Sequence, residues 1–272
     1  MIPAAFDYVV AHSVEEAISL LVEHGDEAKL LAGGHSLVPM MKLRLATPAV
    51  LVDVARVEGL ADVDVQGDEI RIGAMTTHAR LETDPRIASG CPLLAHVAHL
   101  VGDPQVRHRG TLGGTLAHGD PASDLPAAVL ALGGTIVAEG PGGRREIAAT
   151  DFFTSFLETA LNPEEIITEV RVPVTTGGWS YQKFNRRAQD WAIVGVAAVE
   201  VAGERRVSLV NMGLTPMRAV AVESALSAGS SVADAAALAS EGTSAPDDGN
   251  GSSEFREHLA RVLTERALDA VG

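Results

Sequence analysis

Near the start of the chain apolar residues recur at Val14, Ala17, Ile18, Leu21 and Val22, a spacing that turns one face of a helix toward a core. Ser13 and Glu16 stand in capping-box register ahead of it, and Gly25 is placed to end it in a left-handed conformation. The period then shortens. AKLLAGG from residue 28 is a short apolar run closed by paired glycines, SLVPMMKLRL from 36 predicts a helical turn, and AVLVDV from 49, behind Pro48, predicts a strand. EIRIGA from 69 reads as a strand, TTHARLE from 76 as a helix start, and PLLAHVAHLV from 92 as an apolar helix ending near Gly102.

From Gly110 the texture changes, because glycines and small residues crowd RGTLGGTLAHGDPASDLPAAVLAL, predicting a loop and then an apolar helix. Gly133 and Gly134 stop that helix before the strand GTIVAEG. EEIITEVRVPV, WSYQKFNRR and AIVGVAAVEVAG predict strands, the last two a hairpin pair across RRAQDW. The composition of TTGG at 175–178 suggests a linker, dividing the chain into units 1–176, with lobes of about 1–55 and 56–176, and 177–272. The tail predicts a helix at AVAVESALSAG, an exposed loop at EGTSAPDDGNGSS, and a last helix with Phe255, Leu259, Val262 and Leu263 on one face.

Composition narrows the function classes. The 272 residues, 46% of them hydrophobic, suffice for a sizeable core, and a net charge of −15 disfavours nucleic acid and anionic membrane partners. No apolar run approaches the roughly 18 residues of a membrane span, and the N-terminus lacks the pattern of a secretion signal, so a cytoplasmic protein is expected. The single cysteine, Cys91, cannot form an internal disulfide, a zinc site or the thiolate set of an iron–sulfur cluster, and its setting predicts a small buried residue. Any redox chemistry therefore needs a borrowed cofactor.

Two glycine pairs are candidates for that cofactor. A bare glycine backbone lets N–H groups approach phosphate oxygens, and Ala32, Gly33, Gly34, His35 and Ser36 follow a predicted strand and carry a hydroxyl. Thr111, Leu112, Gly113, Gly114 and Thr115 repeat the arrangement. Two such loops converging in space suit the pyrophosphate and polar edges of a dinucleotide; either one by itself is more simply a tight turn. The dinucleotide fingerprint of a Rossmann domain and the Walker loop are both missing.

AGGHSLVPMMKLR, TLGGTLAHGDPASDLPAAVLAL and KFNRRAQDWAIVGVA, with the C-terminal SSEFREHLARVLTERAL, resemble the flavoprotein (medium) subunits of carbon monoxide dehydrogenase and related xanthine dehydrogenase-type molybdenum hydroxylases. The resemblance spans essentially the whole chain. It implies an α+β fold, a two-lobed FAD-binding domain of the vanillyl-alcohol-oxidase (PCMH) type followed by a small C-terminal α/β domain. It also implies FAD as cofactor, a small iron–sulfur subunit and a large molybdenum subunit as partners, and an external electron acceptor such as a quinone, dioxygen or NAD. The segment Leu30, Leu31, Ala32, Gly33, Gly34, His35, Ser36 and Leu37, together with Thr111 to Thr115, then holds the pyrophosphate and nearby sugar oxygens through N–H groups and hydroxyls. Asp124 matches an acid bonded to cofactor hydroxyls, Lys183 a lysine near the flavin, and Ile167 an apolar contact. Each has a plainer reading, as helix N-cap, exposed strand lysine and core residue respectively. The family pattern has Asn where this chain has Thr115, and Asn-Pro variants where it has His118 to Asp120, which implies altered hydrogen bonding. Trp191 and Tyr181 are candidates to cover the flavin ring, or are core.

Other constellations are weaker. His96 and His99, with His108 and His118 downstream, have helical spacing but no converging ligand set; GHSLV lacks the closing glycine of a nucleophile elbow; Arg107 and Arg109 read as a solvated basic loop. Two alternatives to the electron-transfer reading stay open, a stand-alone FAD oxidase and a cofactor-free interaction subunit. The first is disfavoured by the lack of a flavin-attaching His or Cys context and of a long substrate cap.

Overall fold

The computed structural model describes residues 1–272. The first strands and helices are β1 (Asp7–Val10), α1 (Val14–His24), β2 (Ala28–Leu31), α2 (Leu37–Leu43) and β3 (Val50–Asp53). All three strands run parallel in the order β1-β3-β2; α1 carries the chain from β1 past the central position to β2, and α2 lies in the crossover between the parallel neighbours β2 and β3. The Ser13 hydroxyl accepts from the N–H of Glu16, and the Glu16 carboxylate accepts from the N–H of His12, so the capping box closes one residue early. Ala17, Ile18 and Leu21 pack onto Val50 and Val52, whereas Val22, a hundred degrees further round the helix, is exposed. Gly25 takes φ +52° but ψ −133°, a positive φ outside the helical-left region.

The next stretch opens with the antiparallel pair β4 (Val63–Gln66) and β5 (Glu69–Gly73). A helical run follows: α3 (His78–Thr83), α4 (Pro85–Gly90), α5 (Pro92–His99), α6 (Pro104–Arg107), α7 (Leu112–His118) and α8 (Asp124–Leu132). Then come β6 (Thr135–Gly140), β7 (Gly143–Ala148), α9 (Ala149–Phe152), β8 (Phe153–Ser155), β9 (Glu158–Thr159) and β10 (Ile166–Pro173). β4-β5-β10-β6-β7 form one antiparallel sheet, and β8 pairs with β9. The expected loop at Thr111 to Thr115 is instead the first turn of α7, because Thr111 serves as its N-cap. Every residue of α8 is buried, as a helix apolar all round must be, and Gly133 ends it with φ +67° and ψ 37°.

The last third forms β11 (Trp179–Phe184), β12 (Val194–Val201), β13 (Glu204–Val210) and β14 (Met217–Arg218), an antiparallel sheet in chain order, followed by α10 (Val220–Ser227), α11 (Val232–Ala236) and α12 (Ser253–Val271). Alternation along β12 serves two cores: Ala197 and Val199 join the cluster around α8, while Val194, Val196 and Ala198 join the one under α12. Helix α8 thus lies between β10 on one side and β12 and β13 on the other. On α12 the buried seam runs through Arg256, Leu259, Ala260, Leu263, Ala267 and Leu268, with Val262 half-buried. Phe255 stands outside that seam, 41% exposed and edge-on to Phe184, because the aliphatic stem of Arg256 takes the buried turn. The Arg256 guanidinium donates to the Ile193 carbonyl and pairs with Asp248 at 2.7 Å.

The glycines of TTGG serve close packing. A Cβ on Gly178 would stand 2.0 Å from the Val271 carbonyl oxygen at the end of α12, so that backbone approach sets how α12 closes on β11. Gly178→Ala should therefore cost about 1–3 kcal/mol, the usual price of overpacking, in urea unfolding. Gly142→Ala, with open space around its Cβ and no positive φ, should be neutral or slightly stabilising. Equal midpoints for the two variants would show that the Gly178 contact does not constrain the packing.

Candidate functional site

A cleft of about 890 Å³ opens where the turn after β2, the start of α3, the turn into α7, the start of α8, β10 and the β11–β12 loop meet. Its floor is mixed: Leu125, Ile166 and Ile167 are apolar, while Ser36, His78, Thr111, Thr115, Asp124 and Lys183 bring polar atoms. Of the residues singled out from sequence, Leu30, Ala32 to Leu37, Thr111, Gly113 to Thr115, Asp124, Ile167 and Lys183 line it. Leu31 and Leu112 do not. Leu31 points away by strand alternation from Leu30, and Leu112 is wholly buried among core residues on the inner face of α7.

The two glycine turns differ in what they offer a ligand. The N–H groups of Gly33, Gly34, His35, Ser36 and Leu37 donate to nothing within the chain, a run of consecutive free donors suited to an anion. Gly34 holds φ +75°, which turns the run. At the second turn the N–H groups are already used: Leu112 donates to Thr76 O at 3.0 Å, Gly113 to Ala74 O at 2.8 Å, Gly114 to Thr111 Oγ1 at 3.2 Å, and Thr115 to Thr111 O at 3.0 Å. The expectation that both loops present backbone donors is thus corrected for Leu112 to Thr115, because a capped helix start uses its own N–H groups. What remains there is the N–H of Thr111, which donates to nothing within the chain, and hydroxyl chemistry.

The glycines themselves answer to the protein rather than to open space for a ligand. A Cβ on Gly33 would lie 2.0 Å from the Arg109 carbonyl oxygen, and one on Gly113 would lie 2.6 Å from the Ala74 Cβ. The first turn therefore abuts the backbone of Arg109 and Gly110 ahead of α7, and the start of α7 abuts Ala74 beyond β5.

Asp124 does not cap α8: Ser123 is the N-cap residue, and the Asp124 carboxylate faces inward, accepting from Lys183 Nζ at 2.8 Å and from the Tyr181 hydroxyl. Nor is Lys183 an exposed strand lysine, since its side chain is 8% exposed and also donates to Leu100 O at 3.2 Å. Burial pushes the Asp124 pKa up, opposed by the Lys183 charge and by hydrogen bonds from Lys183 and Tyr181. Burial, with the neighbouring Asp124 charge and hydrogen bond, also raises Tyr181 well above its ordinary value. Tyr181 is thus a core residue bound to Asp124 and does not line the cleft, whereas Trp191 stands at its rim, 56% exposed.

His78, at the start of α3, went unremarked in the sequence. It is 3% exposed, lines the cleft, and places Nε2 at 3.0 Å from Thr115 Oγ1 and 3.2 Å from Thr111 O. Only its pairing with the second turn in space reveals it. Arg107 is no solvated loop residue: it closes α6, 11% exposed, and pairs with Glu82 at 2.8 Å, because α6 packs beside α3. His99 bonds the same Glu82 at 2.7 Å, His96 packs in a tilted contact against Trp179 with ring centroids 5.2 Å apart, and His108 bonds Pro104 O at 2.6 Å. Cys91 is wholly buried, its thiol pushed up to about 12 by burial.

Residues 4–175 match the family described as FAD binding domain in molybdopterin dehydrogenase, and residues 179–271 that described as CO dehydrogenase flavoprotein C-terminal domain. The chain is 40% identical to the carbon monoxide dehydrogenase medium chain of Hydrogenophaga pseudoflava, covering 99% of this chain and 98% of that one. It is 38% identical to the 6-hydroxypseudooxynicotine dehydrogenase complex subunit alpha of Paenarthrobacter nicotinovorans, covering 98% and 95% respectively. A solved structure of the Hydrogenophaga pseudoflava carbon monoxide dehydrogenase that lacks the Mo-pyranopterin moiety superposes with a TM-score of 0.96 at 42% identity, covering 100% of this chain and 98% of that one.

Lys183→Met leaves the Asp124 carboxylate buried with Tyr181 as its remaining partner and should destabilise the chain by about 3 kcal/mol. Adding Asp124→Asn removes the stranded charge and should restore most of the loss. Urea denaturation of the three proteins checks this, and a single variant as stable as the wild type would show that the ion pair contributes nothing.

Proposed function

This chain belongs to the family of FAD-binding subunits of molybdopterin dehydrogenases, an oxidoreductase subunit whose cofactor is FAD, and from that premise we propose that it is the electron relay of a three-subunit hydroxylase. The observation that carries the reading is the cleft's division of labour: a run of free N–H donors on one side, hydroxyls on the other, and apolar residues between. These features fit a ligand with a phosphate-bearing middle, polyhydroxyl arms and flat apolar ends. The N–H groups of Gly33 to Leu37 bind the phosphate oxygens, and the Thr111 and Thr115 hydroxyls meet oxygens from the other side. Ile167 presents an apolar wall, and the Asp124–Lys183 pair places a fixed dipole at the edge of the cleft.

When bound, FAD supplies the redox chemistry, accepting electrons from a partner's iron–sulfur clusters and yielding them to an external acceptor such as a quinone, dioxygen or NAD. The chain's own side chains position and shield; none is required as acid or base. Cys91 by itself cannot ligate a cluster and is sealed in the core, so we assign the clusters to a small partner subunit and the molybdenum centre to a large one. We further propose that residues 1–176 form the FAD-binding domain, with lobes of about 1–55 and 56–176, and that 177–272 form the C-terminal domain. The partition of strands among the sheets supports this. No helix is long and apolar enough to cross a membrane, which is compatible with a cytoplasmic complex. The substrate is set elsewhere: relatives at 40% and 38% identity carry names for chemically unlike substrates.

Expression together with neighbouring reading frames tests the proposal. A yellow complex containing an iron–sulfur subunit and a molybdenum subunit, with flavin absorbance that bleaches when the complex's substrate is added anaerobically, is the expected result. An isolated chain that oxidises a small organic substrate with dioxygen would overturn it.

A further inference from the structure

We infer that His78 is a positioning residue of the cleft, holding the Thr115 hydroxyl so that it donates its proton to a bound oxygen of the cofactor. This rests on the FAD reading above and deepens it.

Residues 74–78 and 110–113 are laced together. Thr77 bridges Thr111, Leu112 donates to Thr76, Gly113 donates to Ala74, and the His78 N–H donates to Gly110 O at 2.9 Å. That lacing brings the imidazole against the second glycine turn, where bare Gly110 makes room: a Cβ there would lie 2.9 Å from Nδ1. Nε2 is within hydrogen-bond reach of two oxygens, and they decide its proton. The Thr111 carbonyl, at 3.2 Å, accepts only, so a bond to it requires the proton on Nε2. Nδ1 is buried with no partner. A bare lone pair there is tolerable, whereas the opposite tautomer would bury an N–H without an acceptor. Burial also moves the ring's pKa down to about 4, so at neutral pH it carries one proton, on Nε2.

That assignment fixes Thr115. With Nε2–H directed at Thr115 Oγ1 as well, at 3.0 Å, the hydroxyl proton has no route back to the ring. The usual alternative for a helical threonine is to donate to the carbonyl four residues earlier. Here that carbonyl is Thr111 O, which already receives the N–H of Thr115 and the His78 ring. Thr115 lines the cleft, so its proton is offered there. Because the N–H groups of Leu112 to Thr115 are consumed internally, the Thr111 N–H and the hydroxyls are the remaining donors of this turn, and His78 governs one of the hydroxyls.

The test measures FAD affinity of the deflavinated full chain by flavin fluorescence at neutral pH, beside the thermal midpoint of the same apoprotein. His78→Phe keeps the ring volume without a polar atom and should weaken FAD binding about tenfold, the loss of one hydrogen bond to a charged group. Thr115→Val should weaken it similarly, and in that background His78→Phe should add less than about twofold, since the two act through one contact. His78→Gln carries an amide N–H where Nε2 stood and should bind within about threefold of wild type; His78→Asn, whose shorter amide lies at the Nδ1 position, should not. If His78→Phe fails to fold, the Gln and Asn pair makes the same distinction. Equal affinity of wild type and His78→Phe, fully additive losses with Thr115→Val, or equal behaviour of Gln and Asn would overturn the inference while leaving the cofactor reading intact. A wild-type chain that takes up no FAD, alone or in its complex, overturns both.

Discussion

At Gly33 the turn that follows the small parallel sheet meets the carbonyl of Arg109 with no room for a methyl group. That backbone contact joins the first sheet to the helical run of the second, and segments on both sides of it line the cleft. On one side of the contact lie the free N–H groups of Gly33 to Leu37; on the other lies α7, whose N–H groups are turned inward to Ala74, Thr76 and Thr111. The asymmetry follows from local chemistry. A turn that precedes α2 without a side-chain cap leaves its donors free, whereas a Thr-capped helix start laced to the segment after β5 leaves only that of Thr111.

The third side of the cleft depends on α8. Being buried on every face, it couples the five-stranded sheet to the four-stranded one, and Asp124 at its start reaches Tyr181 and Lys183 on β11. A carboxylate in that position is costly to desolvate, and the lysine and tyrosine offset the cost. The same interaction holds the β11 end of the last sheet against the cleft, so fold stability and site geometry share one set of atoms. Lys183 therefore acts as half of a pair with Asp124 rather than as a free cation.

Much of this was readable beforehand, and for identifiable reasons. The strands AKLL, VLVD and EIRIG, the apolar helix from Asp124 and its stop at Gly133 announced themselves by period and by glycine placement. The glycine pairs pointed to the cleft because close backbone approach leaves a mark in sequence. What sequence could not display was which partner demanded each glycine: Gly33 answers to Arg109 and Gly178 to Val271, contacts between residues far apart in the chain. For the same reason His78 was invisible, since its relation to Thr115 is made by the lacing of two segments. Arg107 and Phe255 exchanged the environments their residue types suggest, because an ion pair buries one and an arginine stem displaces the other.

Hydrogen–deuterium exchange of the chain with and without FAD distinguishes the two turns. Exchange should slow at Gly33 to Leu37, whose N–H groups have no acceptor within the chain. It should change little at Leu112 to Thr115, whose N–H groups are already bonded. Slowed exchange confined to α7, or unchanged exchange at Gly33 to Leu37 on full binding, would show that the free donors of the first turn do not hold the cofactor.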